Sequence, residues 1–202
     1  MDKRQLQTLV SSTGVSSSIA SAFAKVDRAG FVPEELESIA YEDKPVPLPE
    51  GQTTSQPTLI AFILDRLSLH KDARVLEIGT GYGFQSALLA ELAGAKGLVV
   101  SIEYFQSLHE QAKKRLAGRK NVLLVHGDGK NGFAEKAPFD AIVVSAACAE
   151  LPPKLFEQLK KGGRLVYPQE TGFGQDLVLV EKTPEGRKKT TRLMPVAFVP
   201  LR

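Results

Sequence analysis

The chain has 202 residues, 43% of them hydrophobic and 24% charged, which suffices for one full domain with a sizeable core and is short for two. Its net charge of +3 neither calls for a nucleic-acid partner nor rejects an acidic substrate. The single cysteine, Cys148, precludes an internal disulfide, and His70, His109 and His126 are too scattered to form a metal site.

The opening Met1-Asp2-Lys3-Arg4-Gln5 runs into a polar, Ser-rich stretch with no apolar leader core. No window approaches the roughly 20 apolar residues that cross a bilayer, so a cytoplasmic protein without membrane or nucleic-acid partners is expected, most simply a monomer. Residues 1–40 read as helical pieces broken by Ser and Gly. Ser16-Ser17-Ser18 would cap a helix carrying Ile19, Phe23 and Val26 and ending near Gly30. Residues 41–57, with four prolines and one glycine, cannot be a helix interior or a central strand and are expected to form an extended, shaped loop.

From residue 58 a regular alternation begins. Leu59 to Leu67 has helical spacing, Arg74 to Ile78 reads as a strand, and 84–93 as a helix. Val99 to Glu103 is a second strand, 105–117 a helix with Phe105, Leu108, Ala112 and Leu116 on one stripe. Val122 to His126 and Phe139 to Val144 are further strands, and a short helix over 153–160 is expected to stop at Gly162-Gly163. Arg164 to Tyr167, Asp176 to Glu181 and Thr190 to Val199 read as strands without long helices between them, with a turn at Pro184-Glu185-Gly186. The pattern predicts an α/β fold of Rossmann-like sandwich type. It has a mostly parallel twisted sheet with helices on both faces, antiparallel C-terminal strands and an N-terminal helical and loop extension. One domain is expected over 1–202, divided into an extension (1–57) and a core (58–202).

The sharpest local signal is Glu77-Ile78-Gly79-Thr80-Gly81-Tyr82-Gly83 at a strand-to-helix junction. Glycines there let the backbone turn sharply and approach a ligand, with amide donors at a helix start. Glu103 closes the next strand, where a carboxylate can accept both hydroxyls of a ribose. It could instead cap the helix that follows. The dinucleotide fingerprint needs a small residue where Phe84 stands, so the loop looks more like the S-adenosylmethionine loop of Rossmann-like methyltransferases. Glu77 reads either as a cofactor ligand or as a half-exposed strand residue. Gly127-Asp128-Gly129 reads as a plain turn or as a second ligand loop near an adenine amine.

Further blocks extend the pattern: FVPEELESIAYEDKPVPL (31–48), EGQTTSQP (50–57), VLEIGTGYGFQSALLAEL (75–92), VVSIE (99–103) and HGDGKNGF (126–133). PFDAIVVSAACAELPPKLFEQLKKGGRLVYP (138–168) and VAFVPL (196–201) complete them. Over nearly its whole length the sequence resembles the protein-L-isoaspartate O-methyltransferase family, and the AYEDKP and GQTTSQP blocks are its most specific parts. The resemblance implies an S-adenosylmethionine-dependent transfer to the free carboxylate of isoaspartyl residues in damaged proteins. S-adenosylhomocysteine is the by-product, and repair proceeds through a succinimide.

By the resemblance, Gly79, Gly81 and Gly83 line the cofactor together with Glu77, Thr80 and Gly129. Glu103 holds the ribose and Asp128 meets adenine. Ser55 sits beside the reacting carboxylate, flanked by Thr53 and Thr54, and Val196 and Phe198 in the closing segment clamp the substrate peptide. Tyr104, Gln169-Glu170 and Cys148 depart from the usual family residues without touching these positions.

The chemistry agrees. A backbone-type carboxylate has a pKa of about 3.3–3.7 and is already a nucleophile near pH 7, so no general base is needed. Alignment of the reactants can supply about 7–11 kcal/mol. Ser55 would therefore orient rather than attack. Its competing role is the N-cap of the helix that Pro57 begins. Asp43 and Glu42 would bind peptide amides or satisfy their own turn, Cys148 would be a packed small residue, and Arg187 to Lys189 a solvated face. Methyl transfer to another substrate, or cofactor binding without catalysis, are the alternative functions.

Overall fold

The computed structural model describes all residues 1–202. The N-terminal extension holds α1 (Lys3–Ser12), started by a capping box between Asp2 and Gln5, and α2 (Ser17–Lys25). The second helix ends sooner than its apolar spacing predicts. Val26 is extended, and the Asp27 carboxylate accepts from the Ala29 amide, which restarts the chain as a separate 3-10 turn over Arg28–Phe31. Residues 41–57 form the expected shaped loop, stiffened by a small antiparallel ribbon of β1 (Val46–Pro47) and β2 (Thr53–Thr54).

The core alternates α3 (Pro57–Leu67), β3 (Arg74–Ile78), α4 (Phe84–Ala93), β4 (Leu98–Glu103), α5 (Gln106–Arg115) and β5 (Val122–His126). It continues with β6 (Phe139–Val144), α6 (Pro153–Gln158), β7 (Leu159–Thr171), β8 (Gly174–Lys182) and β9 (Lys188–Val196). The main sheet runs β5-β4-β3-β6-β7-β8-β9, parallel from β5 to β7 and antiparallel across β8 and β9. This is the α/β arrangement expected from the sequence.

Strand alternation divides the core. Val75, Val99, Ala141 and Val143 face a large cluster shared with α3, α4 and the N-terminal helices, while Leu76, Val100, Ile142 and Val144 face a second cluster shared with α6. Both faces are covered, so the parallel strands read as continuous apolar runs. No helix is long and apolar enough to cross a membrane.

Further boundaries differ from the sequence reading: β9 ends at Val196, short of the expected Val199, because its pairing with β8 is exhausted at Gln175. Helix α6 ends at Gln158, and Gly162-Gly163, expected to stop it, lie inside β7. Leu159 already pairs with Phe139, and the extra residues before Arg164 pairs with Ala141 are absorbed as an irregularity in the ladder. The order of strands reverses beside β3, with β4 on one side and β6 on the other. Such a switch point opens a crevice at the carboxyl ends of the strands, where ligands of open α/β sheets bind.

Candidate active site

A cavity of about 530 Å³ lies at that crevice, within the size range of a small-molecule site. Its floor is the glycine loop and the ends of β4 and β6; its other walls are the 41–57 loop and the segment beyond β9.

The floor is built by backbone amides closing on the end of β4. The Gly79 amide donates to the Ile102 carbonyl at 2.8 Å, which draws the loop toward β4. The Gly81 amide donates to Glu103 Oε2 at 2.8 Å and the Phe105 amide to Oε1 at 3.0 Å. Glu103 is buried, and burial pushes its carboxyl above the usual range while these amide bonds pull the other way. It therefore both closes the loop and borders the cavity, with lone pairs left for a ligand's hydroxyls.

Glu77 has neither of its expected placements. It is fully buried and absent from the cavity wall, and it accepts hydrogen bonds from the hydroxyls of Ser86 and Ser101 (2.7 Å for Ser101) and from Gln85 Nε2 at 2.9 Å. Burial pushes its carboxyl up to about 7. The bonds continue outward: Ser101 Oγ meets Thr80 Oγ1 at 2.6 Å, and Gln85 Nε2 donates to Ser145 Oγ at 3.0 Å. Thr80, Gln85 and Ser145 border the cavity, so Glu77 braces the wall from behind.

Two further positions differ from expectation. Gly83 is the N-cap of α4, set back from the wall. With φ +96°, a β-carbon there would lie 2.7 Å from Leu116 Cδ1, so its glycine serves packing against the end of α5. The Asp128 carboxylate is exposed and turns onto its own 3-10 turn, accepting from the Lys130 amide at 2.9 Å, while neighbouring Gly129 borders the cavity.

The opposite wall depends on a residue that sequence reasoning missed. Arg28 is 1% exposed, and its guanidinium donates to four carbonyls. Nη1 reaches Ala40 at 2.7 Å and Glu42 at 3.1 Å; Nη2 reaches Lys44 at 3.1 Å and Ser55 at 3.0 Å. Burial pulls its pKa down to about 10, with Asp43 opposing. Its guanidinium carbon also stands 5.7 Å from the ring centre of Phe84, which packs edge-on to Phe23. The bulky residue that argued against a dinucleotide loop thus joins the glycine loop to the N-terminal extension. These partners are far apart in sequence and leave no local periodicity; the only available hint was an arginine among the apolar residues of 26–32.

Asp43 takes over the helix-cap role weighed for Ser55. Its carboxylate accepts from the Thr58 amide (2.9 Å), the Thr58 hydroxyl (2.8 Å) and Gln56 Nε2 (2.9 Å), and so caps α3. Neither peptide binding nor a private turn describes it. Gln56 occupies the N-cap position, Ser55 is half-buried at the cavity, and its carbonyl is held by Arg28. Thr53 and Thr54 border the same space, Thr53 exposed and Thr54 buried, as do Val196 and Phe198. Cys148 is half-buried, and burial pushes its thiol up to about 11, in keeping with a packed side chain.

This arrangement can seat a nucleoside. A buried carboxylate stands ready for a diol, and a sharply turned backbone admits close approach. A family model described as Protein-L-isoaspartate(D-aspartate) O-methyltransferase matches residues 1–202. Protein-L-isoaspartate O-methyltransferase 2 of Syntrophobacter fumaroxidans is 43% identical over 203 residues, covering 99% of this chain and 81% of the relative. Protein-L-isoaspartate O-methyltransferase 1 of Nitrosospira multiformis is 45% identical over 206 residues, covering 99% and 86%.

Among solved structures, a protein-L-isoaspartate O-methyltransferase superposes with a TM-score of 0.90 at 34% identity. It covers 98% of this chain, which in turn spans 65% of that one. A putative protein-L-isoaspartate O-methyltransferase from Plasmodium falciparum, in complex with S-adenosyl-L-homocysteine, gives 0.89 at 25% identity, covering 100% and 99%. The chain belongs to the protein-L-isoaspartate(D-aspartate) O-methyltransferase family, enzymes that use S-adenosylmethionine to methylate isoaspartyl residues of proteins.

Proposed function

We propose that this chain aligns an isoaspartyl carboxylate, by way of Ser55, against a methyl donor seated on the glycine loop. The observation that carries the reading is the state of Ser55. Its backbone is locked by Arg28, its capping duty is taken by Asp43, and it lines the cavity that Glu103 also borders.

S-adenosylmethionine supplies a methyl group made electrophilic by its sulfonium. Gly79, Thr80 and Gly81 would cradle it, Glu103 would accept from its ribose hydroxyls, and Gly129 would line the space left for its base. Asp128, turned onto its own turn in this structure, contributes by its position beside Gly129. Glu77 and Gly83 act at one remove, holding the loop's shape.

The acceptor carboxylate is ionised near neutral pH, so these residues have no proton to remove. Ser55, with Thr53 and Thr54, donates hydrogen bonds that fix the carboxylate's direction. The 41–57 loop and the segment after β9 exclude the water that would solvate both charges. Isoaspartate and aspartate each present one carboxylate, so selection must rest on backbone shape. Val196 and Phe198 lie where the edge strand β9 reaches the cavity, and a peptide laid along that edge would be tested for the kink an isoaspartyl residue introduces. Once released, the methyl ester closes to a succinimide: the adjacent backbone amide nitrogen of the substrate attacks the ester carbonyl, and the methoxy group leaves with the amide proton as methanol.

We read the chain as one methyltransferase domain, its 1–57 extension serving the substrate side, acting as a cytoplasmic monomer without nucleic acid. Labelled methyl transfer to matched isoaspartyl and aspartyl peptides tests the proposal. Turnover on the isoaspartyl peptide alone is expected. Equal turnover on both would favour a methyltransferase of other specificity, and none on either would favour a cofactor-binding protein without catalysis.

A further inference from the structure

The last rung between β8 and β9 pairs Gln175 with Val196. Beyond it the chain leaves the sheet, yet residues 197–201 keep a defined path along the cavity. On one side the path is fixed by backbone: the Ala147 amide donates to the Val199 carbonyl at 2.8 Å, and the Leu201 amide donates to the Ala147 carbonyl at 2.7 Å. Those bonds leave Phe198 without a strand partner. The Gln175 side chain fills the place. Its Oε1 accepts from the Phe198 amide at 2.6 Å, and its Nε2 donates to the Phe198 carbonyl at 3.1 Å. A primary amide carries the donor and acceptor of a peptide group, so this side chain replaces the missing neighbouring strand for one residue.

We infer that Gln175 is a positioning residue for the substrate wall, fixing Val196 through its backbone and Phe198 through its side chain. Neither the sequence pattern nor the family assignment points to it. The inference rests on the reading of Val196 and Phe198 as peptide contacts, and it adds the part that holds them. An unclamped Phe198 leaves two half-buried backbone groups to seek water and lets its ring wander. A peptide then has to order that wall on arrival, which weakens peptide binding. The glycine loop has its own supports and is unaffected.

The test compares wild type, Gln175→Leu and Gln175→Glu, by kinetics on an isoaspartyl peptide, by calorimetry with S-adenosyl-L-homocysteine, and by hydrogen exchange over residues 194–202. Loss of two hydrogen bonds predicts that Gln175→Leu raises the peptide KM about tenfold. Its kcat and S-adenosyl-L-homocysteine affinity should stay within about twofold, and exchange at Phe198 should become faster. Gln175→Glu keeps the acceptor and loses the donor, so its KM should fall between the other two; it carries the test if the leucine variant does not fold. An unchanged KM with unchanged exchange overturns the inference, and so does a parallel rise in KM and in the S-adenosyl-L-homocysteine Kd. If the wild-type chain does not act on isoaspartyl peptides, the functional reading fails, and exchange at Phe198 alone decides whether Gln175 holds the wall.

Discussion

On the glycine-loop side of the cavity, support comes from carboxylates at or near strand ends. Glu77 and Glu103 gather the hydroxyls of Ser86 and Ser101 and the amides of Gly81 and Phe105. On the opposite side the carboxyl ends of the parallel strands give no support. The 41–57 loop and the segment beyond β9 are held by long side chains grasping backbone, Arg28 on four carbonyls and Gln175 on both polar groups of Phe198. A sheet can present a loop rigidly because its strands are already fixed. Segments outside the sheet need a side chain to do the work of a neighbouring strand. Damage to the two sides should accordingly separate in assays.

The largest effect is expected from Arg28→Met, which strips the donor from four carbonyls. It should lower stability by about 3 kcal/mol in urea unfolding and raise the peptide KM more than the S-adenosyl-L-homocysteine Kd. A loss below about 1 kcal/mol would mean that water readily replaces the guanidinium.

Gly81→Val strikes the other side. At φ +56°, a β-carbon would lie 3.2 Å from Leu48 Cδ1, and a β-branched residue resists that backbone region. Calorimetry should find S-adenosyl-L-homocysteine affinity reduced at least about a hundredfold. Retention of near-normal affinity would remove the glycine loop from the cofactor site.

Ser55→Ala should lower kcat about tenfold, the equivalent of one orienting hydrogen bond, with S-adenosyl-L-homocysteine affinity unchanged. Unaltered kinetics would count against Ser55 and in favour of Thr53 or Thr54.

The smallest effect concerns pH. Glu77 has its carboxyl raised to about 7 in the folded chain from an ordinary 4.5. The folded state therefore holds the proton more tightly than the unfolded state. Its stabilising contribution is complete below about pH 4.5, declines as pH rises through about 7, and is lost above that. Between pH 6 and pH 8 the loss should be about 1 kcal/mol. Glu103 is shifted in the same direction by burial. Glu77→Gln should flatten the Glu77 part of this slope, and an unaltered slope would show that Glu77 is ionised throughout.

The same division governs what the sequence disclosed. Strands β3, β5 and β6 match their apolar runs residue for residue, because short apolar strands bounded by polar or glycine turns have few other ways to fold. The glycine loop and Glu103 were legible because a strand-to-helix turn leaves a compact local signature. Glu77 and Asp128 were placed on the right elements, but their side chains turn away from the cavity for reasons set by distant partners such as Ser101, or by their own turn. Arg28 gave only the hint of an arginine in an apolar stretch and Gln175 gave none, since what they hold lies 12 to 27 residues away. The Gly162-Gly163 pair misled because a glycine pair marks a ladder irregularity as readily as a helix stop.

Leu48 belongs to both sides. It stands in the 41–57 loop, yet it is buried in one cluster with Tyr82 of the glycine loop and Leu108 of α5, and its side chain abuts Gly81. An occupant on either side that displaces this leucine alters the surface met by the other. Thermodynamic reciprocity then sets the terms: whatever factor the nucleoside contributes to peptide affinity, the peptide must return to the nucleoside.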